Sequence, residues 1–245
     1  FDVELKGTQG VLVYSMSVAS STTKIMFVSS AGASSTVTTI SRAGTASQSD
    51  IAVALSYHAT SDRYSLVRVR STGGADYIRH DWLKGADFTD DSTYVDTAIA
   101  GTTSGDYRNV AVLTVTGQVA WVFWDAKTSG IAGSYGDTLR RTVSATAALG
   151  TTGILARRSL LASRPVRWTD GSVERALIHV LYDSDTTFDN GAQQPQTVLL
   201  DASYTFADVN GSVAAGEEVG LLARLNPGQG SGVLHTTFHL PQIEA

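Results

Sequence analysis

The sequence predicts an all-β protein, and three observations support this prediction. Apolar residues alternate with polar ones at a period of two: Leu12, Tyr14 and Met16 share one face of a segment whose Ser15 and Ser17 face the other way. Helical periodicity is nearly absent, and short clusters of Gly, Ser, Thr and Asp separate the alternating segments. With 42 % hydrophobic and 17 % charged residues, the chain can form a large core. We therefore predict one all-β domain over residues 1–245, either complete or part of a longer chain.

The strands are predicted in hairpin units that recur along the chain. They are 11–18, 24–28 and 36–40 in the first unit, 51–57, 64–70 and 76–82 in the second, 110–115, 118–124 and 138–143 in the third, 175–182 and 196–201 in the fourth, and 219–225 and 232–240 in the fifth. A two-residue turn at Thr116 and Gly117 fits a hairpin, since its second position needs a positive φ. The spacing of these units approximates the roughly 40–50-residue repeat of propeller blades, with insertions in the middle copies.

Burial on both faces distinguishes a propeller from a sandwich. Outward positions of sandwich strands are polar, but segments 110–115, 119–124, 176–182 and 219–225 are apolar at nearly every position. Inner strands of propeller blades are packed on both sides, and their outer strands become polar, as the third strands of the first three units are. The sequence therefore predicts a β-propeller, whole or partial, with about five blades of antiparallel strands. A two-sheet sandwich or jelly roll is the alternative.

Charge and motif content exclude several functional classes. The formal net charge is −5, which gives no bulk attraction to nucleic acid, and no apolar run is long enough to span a membrane. The chain has no cysteine, so it offers no thiolate nucleophile and no cysteine-bound metal. It contains no Gly-x-Ser-x-Gly elbow, P-loop or GxGxxG motif. We predict no catalytic residue and no bound cofactor.

Two acidic clusters are candidates for a cation. Asp183, Asp185 and Asp189 stand before Asn190 and Gly191, and this spacing has some of the character of a Ca²⁺ loop. The favoured interpretation is a solvated turn whose Asp and Asn side chains bond their own backbone. The same interpretation applies more strongly to the other cluster, Asp87, Asp90 and Asp91.

The four tryptophans divide into core and surface candidates. Trp121 shares a strand face with Val119 and Phe123, which predicts a core position. Trp82 and Trp168 are flanked by polar residues, so they are the candidates for a surface that stacks on sugar rings.

Residues 160–201 contain four recognisable stretches. These are Ser-Arg-Pro-Val from Ser163, Trp-Thr-Asp-Gly-Ser from Trp168, the apolar segment 176–184, and 194–201 ending in Leu-Leu-Asp. They resemble a blade of the propeller in the tail nozzle and tail-tube-closing proteins of short-tailed bacteriophages. The resemblance implies a virion component without enzymatic activity, which forms a homo-oligomeric ring and contacts other subunits. It makes Arg68, Arg70, Arg140 and Arg141 candidates for a subunit interface or a channel lining.

The sequence thus leads to two functional hypotheses. The first is a structural or interaction protein of a phage virion, which assembles with other subunits. The alternative is a secreted propeller that binds or cleaves carbohydrate, such as a lectin, glycosidase or polysaccharide lyase, using Trp82, Trp168 and the acidic loops.

Overall fold

The computed structural model describes residues 1–16, 22–28, 34–35, 37–40, 49–71, 75–91, 96–102, 107–117, 119–126, 137–156, 159–161, 164–170, 173–183, 193–200 and 206–208. Within these ranges the chain forms strands and no helix. Accordingly, none of the described residues belongs to a helix that could cross a membrane. The all-β prediction is confirmed.

The strands form four antiparallel sheets, which we call blades 1 to 4. Blade 1 contains β1 (Asp2–Lys6), β2 (Gln9–Met16), β3 (Thr22–Val28) and β4 (Thr38–Ile40), and blade 2 contains β5 (Ser49–His58), β6 (Arg63–Ser71), β7 (Asp76–Lys84) and β8 (Thr97–Thr102). Blade 3 contains β9 (Tyr107–Val115), β10 (Val119–Ala126), β11 (Asp137–Val143) and β12 (Gly153–Ala156). In each of these blades the strands pair in chain order.

Blade 4 follows the same plan with an interrupted first strand. It contains β13 (Ser159–Leu161), β14 (Val166–Asp170), β15 (Val173–Asp183), β16 (Gln193–Leu200) and β17 (Phe206–Asp208). The short strands β13 and β14 pair with successive parts of one edge of β15, opposite β16. Together they occupy the place of a single inner strand.

Three apolar clusters lie between successive blades. The cluster between blades 1 and 2 includes Val11, Val13, Ile25, Leu55 and Leu66. The next, between blades 2 and 3, includes Val67, Ile78, Trp82, Val122 and Trp124. The third joins blades 3 and 4 through Leu113, Trp121, Phe123, Leu155 and Ile178. The predicted core position of Trp121 is confirmed.

Blades 2 and 3 are therefore buried on both faces, which the apolar segments 110–115 and 119–124 predict for blade 3. The first strands lie side by side, since β5 packs against both β1 and β9. Four sheets stacked in series around adjacent first strands form a partial β-propeller and exclude the two-sheet sandwich. The described sheets do not close into a ring. The fifth predicted unit, 219–225 and 232–240, lies outside the described residues.

The repeat differs from the prediction in its starting point. Segment 11–18 corresponds to the second strand of its blade, because Asp2–Lys6 already forms the inner strand. Blades 2 and 3 each gain a fourth strand, β8 and β12, that the pattern did not predict. The polar segment 76–82 forms β7, which is largely buried because ion pairs and hydrogen bonds satisfy its polar side chains.

The hairpin predicted at Thr116 and Gly117 is present. Gly117 has a φ of +81°, which glycine adopts without steric cost. Val115 pairs with Val119, so this connection has three residues rather than the predicted two. Asp170 pairs with Val173, so β14 and β15 also form a hairpin.

Candidate functional site

The four arginines predicted for a subunit interface lie between blades of the chain itself. Arg68 and Arg70 are buried on the face of blade 2 that meets blade 1. Arg141 donates from Nη1 to the carbonyl of Ile99 in blade 2 at 2.5 Å. Arg140 lies over the Trp121 ring, 5.0 Å from its centroid, on the side of blade 4.

This burial makes the prediction wrong for Arg68 and Arg70, which reach neither a subunit interface nor a channel. Their guanidinium groups pair with carboxylates of the same chain, which satisfies arginine's need for fixed partners. Arg140 and Arg141 are half-buried. A role for these two in assembly stays a prediction.

The buried ion cluster consists of Asp50, Arg68, Arg70, Asp81 and Asp96. Arg68 Nη2 lies 2.6 Å from Asp81 Oδ2 and 3.0 Å from Asp96 Oδ1, and its Nη1 lies 3.3 Å from Asp50 Oδ2. Arg70 Nε lies 3.1 Å from Asp50 Oδ1. The side chains of Arg68 and Asp81 have no exposed surface. Two guanidinium groups therefore hold three carboxylates together inside the fold.

A β-bulge brings Asp50 to this cluster. The pairing of β5 with β6 shifts between Asp50 and Ala52, which leaves Ile51 as the extra residue. A bulge changes the face to which the next side chain points. Asp50 consequently shares the face of Arg70, and it also accepts a hydrogen bond from Thr23 Oγ1 in blade 1 at 2.8 Å.

The tryptophan prediction is wrong for Trp82. Its side chain is fully buried between blades 2 and 3, and Nε1 donates to the carbonyl of Ser144 at 2.9 Å. The polar neighbours that indicated a surface, His80 and Asp81, are themselves buried. Trp168 belongs to β14, and its side chain lies outside what the structure describes.

The structure describes the acidic cluster at Asp87, whereas the cluster that begins at Asp183 lies largely outside the described residues. Asp87 Oδ1 accepts hydrogen bonds from the backbone N and the Oγ1 of Thr89, which confirms a turn. Asp91 pairs with Arg63. Asp183 ends β15, whereas Asp185 and Asp189 lie outside the described residues, so the Ca²⁺ alternative stays a prediction. No group of three His, Asp or Glu in the described ranges is placed to hold a metal ion.

The axial edge of β5, which faces the neighbouring first strands, is occupied by side chains from other blades. Asp2 and Glu4 of blade 1 accept hydrogen bonds from the backbone N of Leu55 and Tyr57, at 2.8 and 3.1 Å. Arg164 donates to the carbonyl of Leu55 at 2.9 Å, and Thr114 Oγ1 donates to that of Tyr57 at 2.8 Å. The backbone groups of Leu55 and Tyr57 that do not pair within the sheet are thus satisfied.

Next to this edge lies a partly exposed polar group that we call the rim cluster: Lys6, Tyr57 and Asp62. Asp62 Oδ1 accepts hydrogen bonds from Lys6 Nζ at 2.6 Å and from Tyr57 Oη at 2.8 Å. Lys6 Nζ also donates to the carbonyl of Gly85 at 2.8 Å. These contacts bring together β1, the end of β5, the β5–β6 turn and the end of β7.

The backbone fixes Asp62 in this cluster. Its φ is +48°, a conformation that Asp tolerates better than most residues. Gly85 packs so closely that an added Cβ would lie 2.7 Å from the Asp62 carbonyl oxygen. Bonds from Lys6 and Tyr57 hold the pKa of Asp62 below its ordinary value. Asp62 is therefore an oriented carboxylate whose side chain is 52 % exposed.

The rim cluster was missed in the sequence because its members are distant along the chain. Asp62 reads as an ordinary turn residue. The one available signal was the alternation of Asp2, Glu4 and Lys6 in the first strand, which indicates a polar face.

Asp125 links blade 3 to blade 4, and, unlike Asp62, it is buried. Its carboxylate accepts hydrogen bonds from Asn109, from Thr138 and, at 2.9 and 3.1 Å, from the backbone N of Leu161. Burial raises its pKa to about 6, although these hydrogen bonds oppose the shift.

We expect Asp125 to make the protein less stable as the pH rises from about 4 to 6. The folded state retains a proton that the unfolded state loses near pH 3.8, so the contribution of Asp125 is lost through this range. The free energy of unfolding should fall by about 3 kcal/mol over this pH range. Asp125→Asn cannot titrate and should remove this component.

His80 changes the stability with pH in the opposite direction, because burial lowers its pKa to about 4. Its stabilising contribution is present above pH 6.5 and decreases as the pH falls. The test is therefore the difference between wild type and Asp125→Asn in urea unfolding at pH 4, 5, 6 and 7. A difference that does not vary with pH would contradict the assignment.

No family model and no curated protein matches the chain. Among solved structures, it is similar to an exo-β-1,3-galactanase from Clostridium thermocellum, with 8 % identity and a TM-score of 0.49 over 81 % of this chain and 45 % of that one. The exo-β-1,3-galactanase from Phanerochaete chrysosporium, determined with galactose, has 9 % identity and a TM-score of 0.42 over 82 % and 49 %.

A third similar structure is the β-propeller domain of the Trilobed protease from Pyrococcus furiosus. It has 7 % identity and a TM-score of 0.38, over 85 % of this chain and 70 % of that domain. The chain spans less than half the length of either galactanase. The assignment to a partial propeller rests on the described blades themselves.

Proposed function

We propose that the chain is a carbohydrate-recognising β-propeller that binds a glycan at the rim cluster without cleaving it. The observation that carries this proposal is the exposed, oriented carboxylate of Asp62. Both of its hydrogen bonds go to Oδ1, and within the described residues Oδ2 accepts none. Oδ2 can therefore accept a bond from a sugar hydroxyl, beside the ammonium of Lys6 and the phenol of Tyr57.

The state of the described carboxylates near the rim cluster favours recognition over cleavage. Glycoside hydrolysis commonly needs one protonated carboxylic acid and a second carboxylate. Asp62 has a lowered pKa, so it does not hold a proton at neutral pH. Asp2 and Glu4 are used as acceptors for the backbone of β5.

A glycan array followed by calorimetry tests the proposal. Asp62→Asn should weaken binding of the best glycan by about tenfold, because one charged acceptor is lost. Asp87→Asn is the matched control: Asp87 is also an exposed turn aspartate, but it bonds only within its own turn among the contacts described. A reducing-sugar assay should show no product. An array without any bound glycan, or equal affinity for wild type and Asp62→Asn, would contradict the proposal.

A second candidate is the structural role in a virion tail. The resemblance of residues 160–201 to a tail-nozzle blade implies, more specifically, a ring subunit that contacts other tail proteins. Light scattering at high concentration tests it, since a strictly monomeric chain would count against a ring.

A further inference from the structure

Within the described residues, the rim cluster has one unused acceptor and one unused donor. The ammonium of Lys6 has three N–H donors. Two of them serve Asp62 Oδ1, at 2.6 Å, and the carbonyl of Gly85, at 2.8 Å. The third has no acceptor among the described groups, and Asp62 Oδ2 has no donor among them. Because the side chains of Lys6 and Asp62 are 26 % and 52 % exposed, a ligand can reach both.

These two groups are adjacent and held in place. Asp62 Oδ2 shares its carbon with Oδ1, which Lys6 contacts directly, so the unused acceptor lies beside the ammonium. Tyr57 Oη also holds the carboxylate, at 2.8 Å, and the backbone N of Gly85 donates to the Asp62 carbonyl at 2.7 Å. A ligand therefore meets an acceptor and a donor whose positions are set before binding, which lowers the entropy cost of recognition.

An acceptor beside a donor matches two neighbouring hydroxyl groups of a sugar ring. A hydroxyl group both donates and accepts, so one can donate to Asp62 Oδ2 while the next accepts from Lys6 Nζ. The ring of Tyr57 is already engaged, because the Tyr64 ring centroid lies 4.9 Å from its own and Lys6 Nζ lies over it at 5.3 Å. The described groups are therefore placed to recognise the hydroxyl edge of a sugar rather than its apolar face.

The charges around the rim cluster favour a neutral ligand. On β1, Asp2 and Glu4 pair with Arg164. Lys6 pairs with Asp62. These three carboxylates and two cations have a net charge of −1. A carboxylate or sulfate on the ligand would lie next to Asp62, whose charge repels it.

We propose, on the basis of the function proposed above, that the rim cluster selects neutral glycans through a vicinal diol, which is a pair of adjacent hydroxyl groups on one sugar ring. One hydroxyl donates to Asp62 Oδ2, and its neighbour accepts from Lys6 Nζ. Lys6 is then a specificity-determining residue as well as the partner that orients Asp62.

Periodate oxidation tests the diol directly, because periodate cleaves the carbon–carbon bond between adjacent hydroxyl groups and leaves isolated hydroxyl groups unchanged. The probe is the neutral oligosaccharide that the full chain binds best on the array, oxidised with periodate and then reduced with borohydride. Calorimetry should show at least about tenfold weaker binding than for the same oligosaccharide treated with borohydride alone. A counterpart whose terminal hexose is a uronic acid should bind about fivefold more weakly at low salt, although it keeps its ring hydroxyls.

Lys6→Met tests the donor of the pair. Its affinity for the intact oligosaccharide should fall by about tenfold, because a charged donor is lost, and it should no longer distinguish the intact form from the oxidised one. Lys24→Met is the matched control and should bind as wild type does. Lys24 is also a partly exposed lysine of blade 1, but its Nζ donates to Thr39 Oγ1. Thermal unfolding checks that both variants are folded.

The possible outcomes separate the diol from glycan binding itself. If Asp62→Asn weakens binding but periodate treatment or Lys6→Met does not, the diol is overturned and glycan recognition at Asp62 remains. If the uronic acid counterpart binds as tightly as the neutral oligosaccharide, the selection of neutral glycans is overturned. If no glycan binds, or if Asp62→Asn binds as tightly as wild type, the proposed function fails and the diol fails with it.

Discussion

Replacing Arg68 by methionine is expected to lower the free energy of unfolding by about 3–5 kcal/mol. Methionine fills a similar volume but removes the positive charge that lies within 3.3 Å of Asp50, Asp81 and Asp96. Breaking a buried pair leaves uncompensated charges in a low-dielectric interior, which costs more than the pair contributed.

Arg79→Met is the matched control, because Arg79 lies directly opposite Arg68 on the neighbouring strand β7. Its Nη1 donates to the carbonyl of Asp96, and its side chain is half-buried, so about 1 kcal/mol is expected. The double variant Arg68→Met with Asp81→Asn should lose less than the sum of the single variants, since the partners are coupled. Urea unfolding measures the wild type, the three single variants Arg68→Met, Asp81→Asn and Arg79→Met, and the double variant. Equal losses for Arg68→Met and Arg79→Met would refute the role of the cluster.

Trp82→Ala is expected to destabilise the fold by about 3–5 kcal/mol, because it leaves a large cavity between blades 2 and 3. Trp82→Phe keeps most of the packing but loses the hydrogen bond to Ser144, for an expected cost of about 1–2 kcal/mol. The order of these two losses distinguishes a buried anchor from a surface platform for sugars.

Glycan affinity provides the complementary measurement for Trp82. In the fraction that remains folded, Trp82→Phe should bind glycans as wild type does, since the ring has no exposed surface. A loss of binding without a loss of stability would restore the surface interpretation that the sequence favoured.

The blades could be predicted from the sequence wherever burial determines the residue pattern. Segment 119–124 is apolar throughout, and the structure places it as β10 between two apolar clusters. The short strands β8 and β12 have weaker patterns, because they lie at the outer edge and have only one neighbouring strand. Local alternation therefore predicts inner strands better than outer ones.

The polar residues could not be assigned for a different reason. Arg68 and Arg70 stand in an apolar strand, and their partners Asp50 and Asp81 lie on the two adjacent strands. Whether such charges face solvent or one another depends on strand register, which here includes a bulge at Ile51. The rim cluster depends on register in the same way, because Lys6 and Asp62 come from different blades.

The occupied edge of β5 also bears on how the chain folds. Its partners Asp2, Thr114 and Arg164 are separated from the strand by 53, 57 and 109 residues. During synthesis, the carbonyl of Leu55 at the inner edge of blade 2 lacks its partner Arg164 until residue 164 has been added. Pairing over such separations is slow because the loop entropy is lost before the contact forms. Blades 1 to 4 should consequently become stable as one late, cooperative unit rather than one after another.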